Sequence, residues 1–248
     1  MTAAELVERA VVAMRDRISQ PLRLDELAQA AGYSTFHFDR MFRSVTGLSA
    51  GAFQSALRIE AAKQQLITSD LPVTEICVNL GYESLGSFTS RFTRSVGVSP
   101  NKFRAIAQQL SQCDVSALMA KAFDAPRADG PLRGTVHGSQ APDAFVWIGV
   151  FRKGMPEERP VSGALRRGDG IFAIPAMTDG TYHVLSASVA ADAGWQTYLL
   201  SGDHVRVATS GTVAVRGDAF AWPPALELRP LRISDPPILA SLALLALN

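Results

Sequence analysis

The sequence predicts a multidomain chain, α first and β second. An all-α domain of about seven helices spans residues 1–110, a linker spans 111–130, and an antiparallel β-sandwich-like domain spans 131–248. Three observations lead there. Apolar residues recur at three- and four-residue steps as far as about Leu110. Mixed Ala, Asp, Pro and Gly then interrupt the pattern from about Gln112 to Gly130. Beyond it the period falls to two, in short runs broken by Gly, Pro and Asp.

The helices follow in order. Thr2–Ser19 places Leu6, Ala10, Ala13 (or Met14) and Ile18 on one face. "LRLDELAQAAG" is a short second helix closed by Gly32. Ser34 or Thr35 opens a third, whose core face carries Phe38, Met41, Phe42 and Val45. "SAGAFQSALRIEAAKQQLITS" is a longer fourth helix with Ile59, Ala62 and Leu66 aligned. "LPVTEICVNLG" is short again, Ser84–Val96 follows it, and "SPNKFRAIAQQL" closes the set. In the linker, Ser116–Phe123 has the pattern of a short helix. The β-prone runs are "AFVWIGVFR", "GIFAIPAM", "TYHVLSASV", "HVRVAT" and "TVAVRG", with "RRGDG" and "TDG" read as hairpin connections. The segment after Pro236–Pro237 is expected to be a short apolar helix packed on a domain or on a second subunit.

The helical half repeats itself. Gly32 and Tyr33 answer Gly81 and Tyr82, forty-nine residues on. Phe42, Gly47, Ser49 and Phe53 answer Phe92, Gly97, Ser99 and Phe103, fifty residues on, so the second copy has one extra residue at its turn. Each copy is a short helix, a Gly-aromatic turn and a second helix, which is the helix-turn-helix plan. A bundle with duplicated core positions is the alternative, and two copies in register argue against it.

Composition bounds the function. The chain has 248 residues, 47% hydrophobic and 19% charged, which is enough apolar material for real cores. Net charge is +1, with 12 Lys and Arg against 10 Asp and Glu in residues 1–108, so a basic surface must come from placement. Cys77 and Cys113 form no metal-ligand spacing and are expected to be reduced thiols. The amphipathic start is no signal peptide, and the apolar tail is too short to span a bilayer, so a soluble, cytoplasmic protein is expected. Nucleophile-elbow, phosphate-loop, dinucleotide and zinc signatures are missing, and neither cysteine has a basic neighbour; no enzyme, cofactor or metal is expected.

The stretches "LDELAQAAGYSTFHFDRMFRSVTGLS", "RIEAAKQQL" and "VTEICVNLGYESLGSFTSRFTRSVGVSPNKFR" together resemble the DNA-binding region of the AraC-type transcriptional regulators. The resemblance covers roughly residues 8–108 and includes the closing Gly-x-Ser-Pro-x-x-Phe-Arg at Gly97–Arg104. It implies double-stranded DNA as partner, with the second helix of each copy entering successive major-groove segments. Geometry agrees: a connecting helix of about 18 residues is about 27 Å long, and a turn at each end brings the span near the B-DNA repeat of about 34 Å.

Helix periodicity leaves Thr35, Phe36, Asp39, Arg40 and Arg43 off the core of the first copy. The resemblance puts base-edge contacts at Phe36, Asp39 and Arg40. Arg40 leads, because a guanidinium fork reads guanine O6 and N7 together. Thr35, His37 and Arg43 are assigned to phosphate or to buttressing, with a solvated surface the alternative for Arg43 and a structural role favoured for His37. In the second copy the outward candidates are Ser84, Leu85, Gly86, Ser87, Ser90, Arg91 and Arg94. Here the chain departs from the family: Ser90 stands where Arg is common, and Arg91 lies one step, about 100°, around the helix. Arg91 is therefore expected at a phosphate, and the second copy is expected to read sequence weakly. Ala50 is a second departure, from the family's usual Pro; Pro100 keeps it.

For the β-rich half, the resemblance to AraC-type regulators implies effector sensing or self-association. It has no His-x-His cluster of a cupin-like sensor: His137, His183 and His204 are isolated. "GIFAIPAMTDGTYHVLSASV" resembles a hairpin of transthyretin-like and carboxypeptidase-regulatory-like sandwiches. Phe145, Trp147, Phe172, Tyr182, Trp195 and Trp222 are candidates to line a ligand pocket, against the stronger alternative that most are core. Besides DNA, the partners considered are RNA polymerase, a small-molecule effector and a second copy of the chain through its C-terminal half. The competing reading of the whole is an interaction module with only architectural, weakly specific DNA binding.

Overall fold

The computed structural model describes residues 2–247 apart from 22, 125–129, 156, 158 and 222, so Trp222 lies outside the described residues. The chain divides into two compact units. One comprises residues 1–105 with 232–239, the other residues 106–231 with 240–248.

The first unit opens with α1 (Ala3–Asp16), α2 (Leu24–Ala30), α3 (Thr35–Thr46) and α4 (Ala50–Thr68). It continues with α5 (Val73–Asn79), α6 (Leu85–Val96) and the start of α7 (Pro100–Leu110). Local chemistry sets the boundaries. Thr2 and Glu5 form a capping box on α1, each side chain bonded to the other's amide. Ser34 and Ser84 cap α3 and α6, accepting from the amides of His37 and Ser87. Ser49 and Ser99 do the same one helix later, for Ala52 and Lys102. The repeat therefore extends to its caps.

The cores repeat as well. Phe38, Phe42 and Phe53 are buried, with ring centroids 6.0 and 5.4 Å apart and the second pair edge-to-face. Phe88, Phe92 and Phe103 reproduce this at 5.9 and 5.7 Å. Residues 232–239 return to this unit: Ile233 packs against the first-copy core. On α4 the fully buried Lys63 ammonium bonds Glu60 Oε2 at 2.8 Å and the Ile238 carbonyl at 2.9 Å, which satisfies a charge that burial would otherwise penalise.

The second unit contains α8 (Val115–Asp124), strands β1 (Leu132–His137), β2 (Phe145–Phe151), β3 (Ser162–Arg167), β4 (Gly170–Ile174) and β5 (Gly180–Val189), then a 3-10 turn at Trp195–Tyr198. After it come β6 (Val205–Arg216), β7 (Ala219–Phe220), β8 (Ala225–Glu227), β9 (Arg229–Pro230) and α9 (Leu242–Leu247). One sheet runs β4-β1-β8; the other runs β3-β2-β5-β6-β7, with β9 paired to β6. Both contribute to one core: Leu132, Val136, Phe172 and Ile174 from the first, Val146, Ile148, Val150, Val184 and Val215 from the second.

β2 is buried along its whole length because both of its faces are covered. Its even-numbered residues enter the shared core. Its odd-numbered Phe145 and Trp147 meet Phe123 of α8 at 4.7 and 4.8 Å, and Tyr198 lies beside them at 6.3 and 6.1 Å. Burial pushes the Tyr198 phenol up to about 12, with the charge of Asp192 adding to the effect and Arg167 opposing it.

The pairing is antiparallel as expected in every described strand pair except β1 with β8, which runs parallel. Two further expectations for this half are corrected. "HVRVAT" and "TVAVRG" are one strand, β6, and the Ser210–Gly211 step between them is a kink opposite a register shift at His183–Leu185. Neither "RRGDG" nor "TDG" closes a hairpin, since β3 and β5 belong to one sheet and β4 to the other. Each is a corner between sheets. At the first, Gly168 has φ +53° and an added Cβ would lie 2.3 Å from the Pro142 carbonyl oxygen, while Arg166 binds the carbonyls of Arg167, Gly168, Asp169 and Ile171. At the second, the buried Tyr182 donates its hydroxyl to the Thr178 carbonyl at 3.0 Å, and Asp179 accepts the Gly217 amide.

Candidate nucleic-acid interface

The α3 face opposite the phenylalanine core carries Phe36, Arg40 and Arg43, spaced four and three residues apart and all exposed. Phe36 is 78% exposed. The Arg40 guanidinium carbon lies 5.9 Å from its ring centroid, so the two form one cationic, apolar ridge. Thr35 opens the helix and is exposed beside them.

Asp39 sits apart from that ridge. Its Oδ1 accepts the amide of Ala50 at 3.2 Å, and its Oδ2 lies 3.6 Å from Arg43. The carboxylate thus braces α3 against the start of α4. This gives Ala50 a physical reason: proline there would have no N–H to offer Asp39. The second copy changes both partners together, with Pro100 at the helix start and Thr89 in the place of Asp39. The contact between Asp39 and Ala50 is what ties the two residues together.

The equivalent α6 face presents Gly86, Ser90 and Thr93, which are short and uncharged. Nothing lies within 4 Å of where a Gly86 Cβ would stand, so the absence of a side chain there is not forced by packing. Ser84 and Ser87 are engaged with each other, Oγ to Oγ at 2.9 Å, besides their capping bonds. Leu85 is 43% exposed, and Ser90 and Arg94 are exposed. Arg91 is half-buried with its Nε shielded from solvent, in the position that Met41 fills in the first copy.

The two turn tyrosines, equivalent in sequence, part company. Tyr33 is 38% exposed and stacks on His37 at 4.8 Å. Tyr82 turns inward, edge-on to Phe88 at 5.1 Å. Its burial raises the phenol, against the lowering influence of Arg58 and Arg91.

Among the described residues there is no group of three His, Cys, Asp or Glu side chains placed to hold a metal, and no helix is long and apolar enough to cross a membrane. Of the aromatics considered for a ligand pocket, Phe145, Trp147, Phe172 and Tyr182 are buried in the core and Trp195 is half-buried.

Two helix-turn-helix copies joined by one helix, with an exposed arginine ridge, define a class of nucleic-acid-binding module. Comparison with known proteins gives it a family. A family model described as a helix-turn-helix domain matches residues 27–106. The chain is 31% identical over 104 residues to the regulatory protein SoxS of Salmonella typhimurium, covering 42% of this chain and 97% of that protein. It is also 31% identical over 101 residues to the HTH-type transcriptional activator AarP of Providencia stuartii, covering 41% of this chain and 75% of that protein. A solved AraC-type regulator from Chromobacterium violaceum is 26% identical, covering 42% of this chain and 94% of that one, with a TM-score of 0.41. The chain belongs to the AraC-type helix-turn-helix family of DNA-binding transcriptional regulators.

Proposed function

We propose that this regulator binds a bipartite DNA site, reading sequence with α3 and holding the backbone with α6. The observation that carries the reading is the contrast between equivalent faces: Phe36, Arg40 and Arg43 on one, Gly86, Ser90 and Thr93 on the other. Arg40 reaches a guanine edge, and Phe36 packs on a thymine methyl. Thr35 and Arg43 bind phosphate; Asp39 acts by fixing the helix and through its ion pair with Arg43. On α6, Ser84, Leu85, Gly86, Ser87, Ser90, Arg91 and Arg94 line the second contact, where Arg94 supplies the charge for a phosphate and Ser90 and Leu85 offer little to a base edge. The 19 residues of α4, about 28 Å at 1.5 Å each, support placing the two helices near one B-DNA repeat.

The β-rich unit is assigned to self-association or effector sensing. Supporting the first, β4 lies at a sheet edge and Ile171 on it is 65% exposed. The similarity to AarP, a transcriptional activator, supports RNA polymerase as a further partner.

Replacement of Arg40 by alanine tests the assignment. The variant is expected to lose about 1–3 kcal/mol of binding to a selected duplex and to relax preference at a single base pair. Fluorescence anisotropy against a set of single-base variants of that duplex measures both. A uniform loss over all sequences would move Arg40 to the phosphates.

A further inference from the structure

Only α4 joins the two helix-turn-helix copies directly along the chain, so how each copy is turned about that helix depends on contacts made outside its backbone. The structure contains a second, off-axis attachment. The segment Ile18–Gln20, which follows α1 and leads into the first copy, lies against α4 on one side and against the turn of the second copy on the other. Arg58 of α4 donates through Nε to the Ile18 carbonyl at 2.8 Å and through Nη2 to the Gln20 carbonyl at 2.6 Å. Gln54, one helical turn earlier, donates to the same Gln20 carbonyl at 3.1 Å.

On the far side the Ser19 carbonyl approaches Gly81 so closely that a Cβ there would stand 1.9 Å from its oxygen. The Arg58 guanidinium also faces the Tyr82 ring, 5.9 Å from its centroid. One side chain on the connecting helix therefore touches the lead-in of the first copy and the turn of the second. The second copy has its own lead-in bond, from Arg104 to the Leu66 and Leu71 carbonyls, in the place of Gln54. Arg58 has no such equivalent; fifty residues on stands Gln108.

We infer that Arg58 is a positioning residue that locks the relative orientation of α3 and α6, and so sets the spacing between half-sites that the protein accepts. The consequence for DNA rests on the bipartite reading above; the lock itself does not. Two linked modules gain from each other only when their geometry matches the spacing of their sites. One inserted base pair shifts the second half-site by about 3.4 Å and about 35°, so a rigid pair rejects it and a loosened pair accepts it.

The test uses the full chain in two measurements. Spin labels at Ser44→Cys and Arg94→Cys, in a Cys113→Ser background that leaves the buried Cys77 in place, report the α3–α6 distance distribution by pulsed electron resonance without DNA. Arg58→Met is expected to broaden that distribution by about twofold, and Arg58→Lys to broaden it less. With duplexes carrying the selected site at native spacing or with one inserted base pair, the wild type is expected to lose about tenfold on insertion, and Arg58→Met less than about threefold. Affinity for a duplex with the first half-site alone should be unchanged. If Arg58→Met fails to fold, Gln54→Leu removes one of the same bonds and should move both readouts in the same direction. An unchanged distance distribution in a folded variant overturns the lock, as does an equal loss on half-site and whole site. Broadening in the variant, together with a wild type indifferent to spacing, keeps the lock and overturns the bipartite reading instead.

Discussion

Gly81→Ala is expected to destabilise the helical unit by about 3–5 kcal/mol, while Gly32→Ala, at the same place in the first copy, is expected to lose only about 1–2 kcal/mol. The two glycines have nearly identical backbones, φ +74° and +75°, so both replacements put an alanine into the left-handed region. Their surroundings differ. Nothing lies within 4 Å of a Cβ at Gly32, whereas a Cβ at Gly81 would meet the Ser19 carbonyl oxygen at 1.9 Å and its carbon at 2.7 Å. Both obstacles are backbone and cannot rotate away. Relief requires residues 18–20 to move, which disturbs the three bonds from Arg58 and Gln54, each worth about 1 kcal/mol net. Urea unfolding followed by far-UV ellipticity compares the variants. Equal losses would mean that the lead-in segment moves freely, against the close packing described above.

The second large effect lies in the repeated core. Phe42→Ala should remove about 3–5 kcal/mol, because the ring is fully buried and neighbouring backbone limits collapse into the space it leaves. It touches Phe53 edge-to-face at 5.4 Å and Phe38 at 6.0 Å, so its loss strips contacts from α3 and α4 together. Phe92→Ala removes the equivalent ring from an equivalent trio, with Phe103 at 5.7 Å, and should lose a similar amount. Thermal and urea unfolding of both variants decide this. A loss below about 1 kcal/mol for either would show that its trio is not the structural centre of that copy.

The helical half was legible because its information is local and written twice. Periodicity located the core phenylalanines, and serine and glycine located the helix ends, as the caps at Ser34, Ser49, Ser84 and Ser99 show. Contacts between distant segments were not legible. Tyr33 and Tyr82 sit in matching motifs, and contacts from other segments, Arg58 among them, separate their surroundings. Asp39 had the periodicity of an outward residue, yet its carboxylate is occupied by an amide eleven positions away. The return of residues 232–239 to the helical unit leaves no trace in local pattern, because Lys63 reads as an ordinary helix lysine until the Ile238 carbonyl is placed beside it.

In the β-rich half, the sequence pattern found β2, β4 and β5 and split β6 in two, but could not say which sheet each joined. Gly-containing connections look alike whether they close a hairpin or turn a corner, and here Arg166 and Tyr182 decide by holding the corners. The short β7, β8 and β9 carry too few residues to show a period.

On the proposed reading, one chain contacts two adjacent turns of a duplex unequally. Selection of bound duplexes from a randomised pool by the full chain, at physiological salt, tests it most directly. The expected result is enrichment of a bipartite site about one helical repeat long, with strong base preference in one half, lost in Arg40→Ala, and weak preference in the other. No enrichment over random sequence, or equal base preference in both halves, would contradict it.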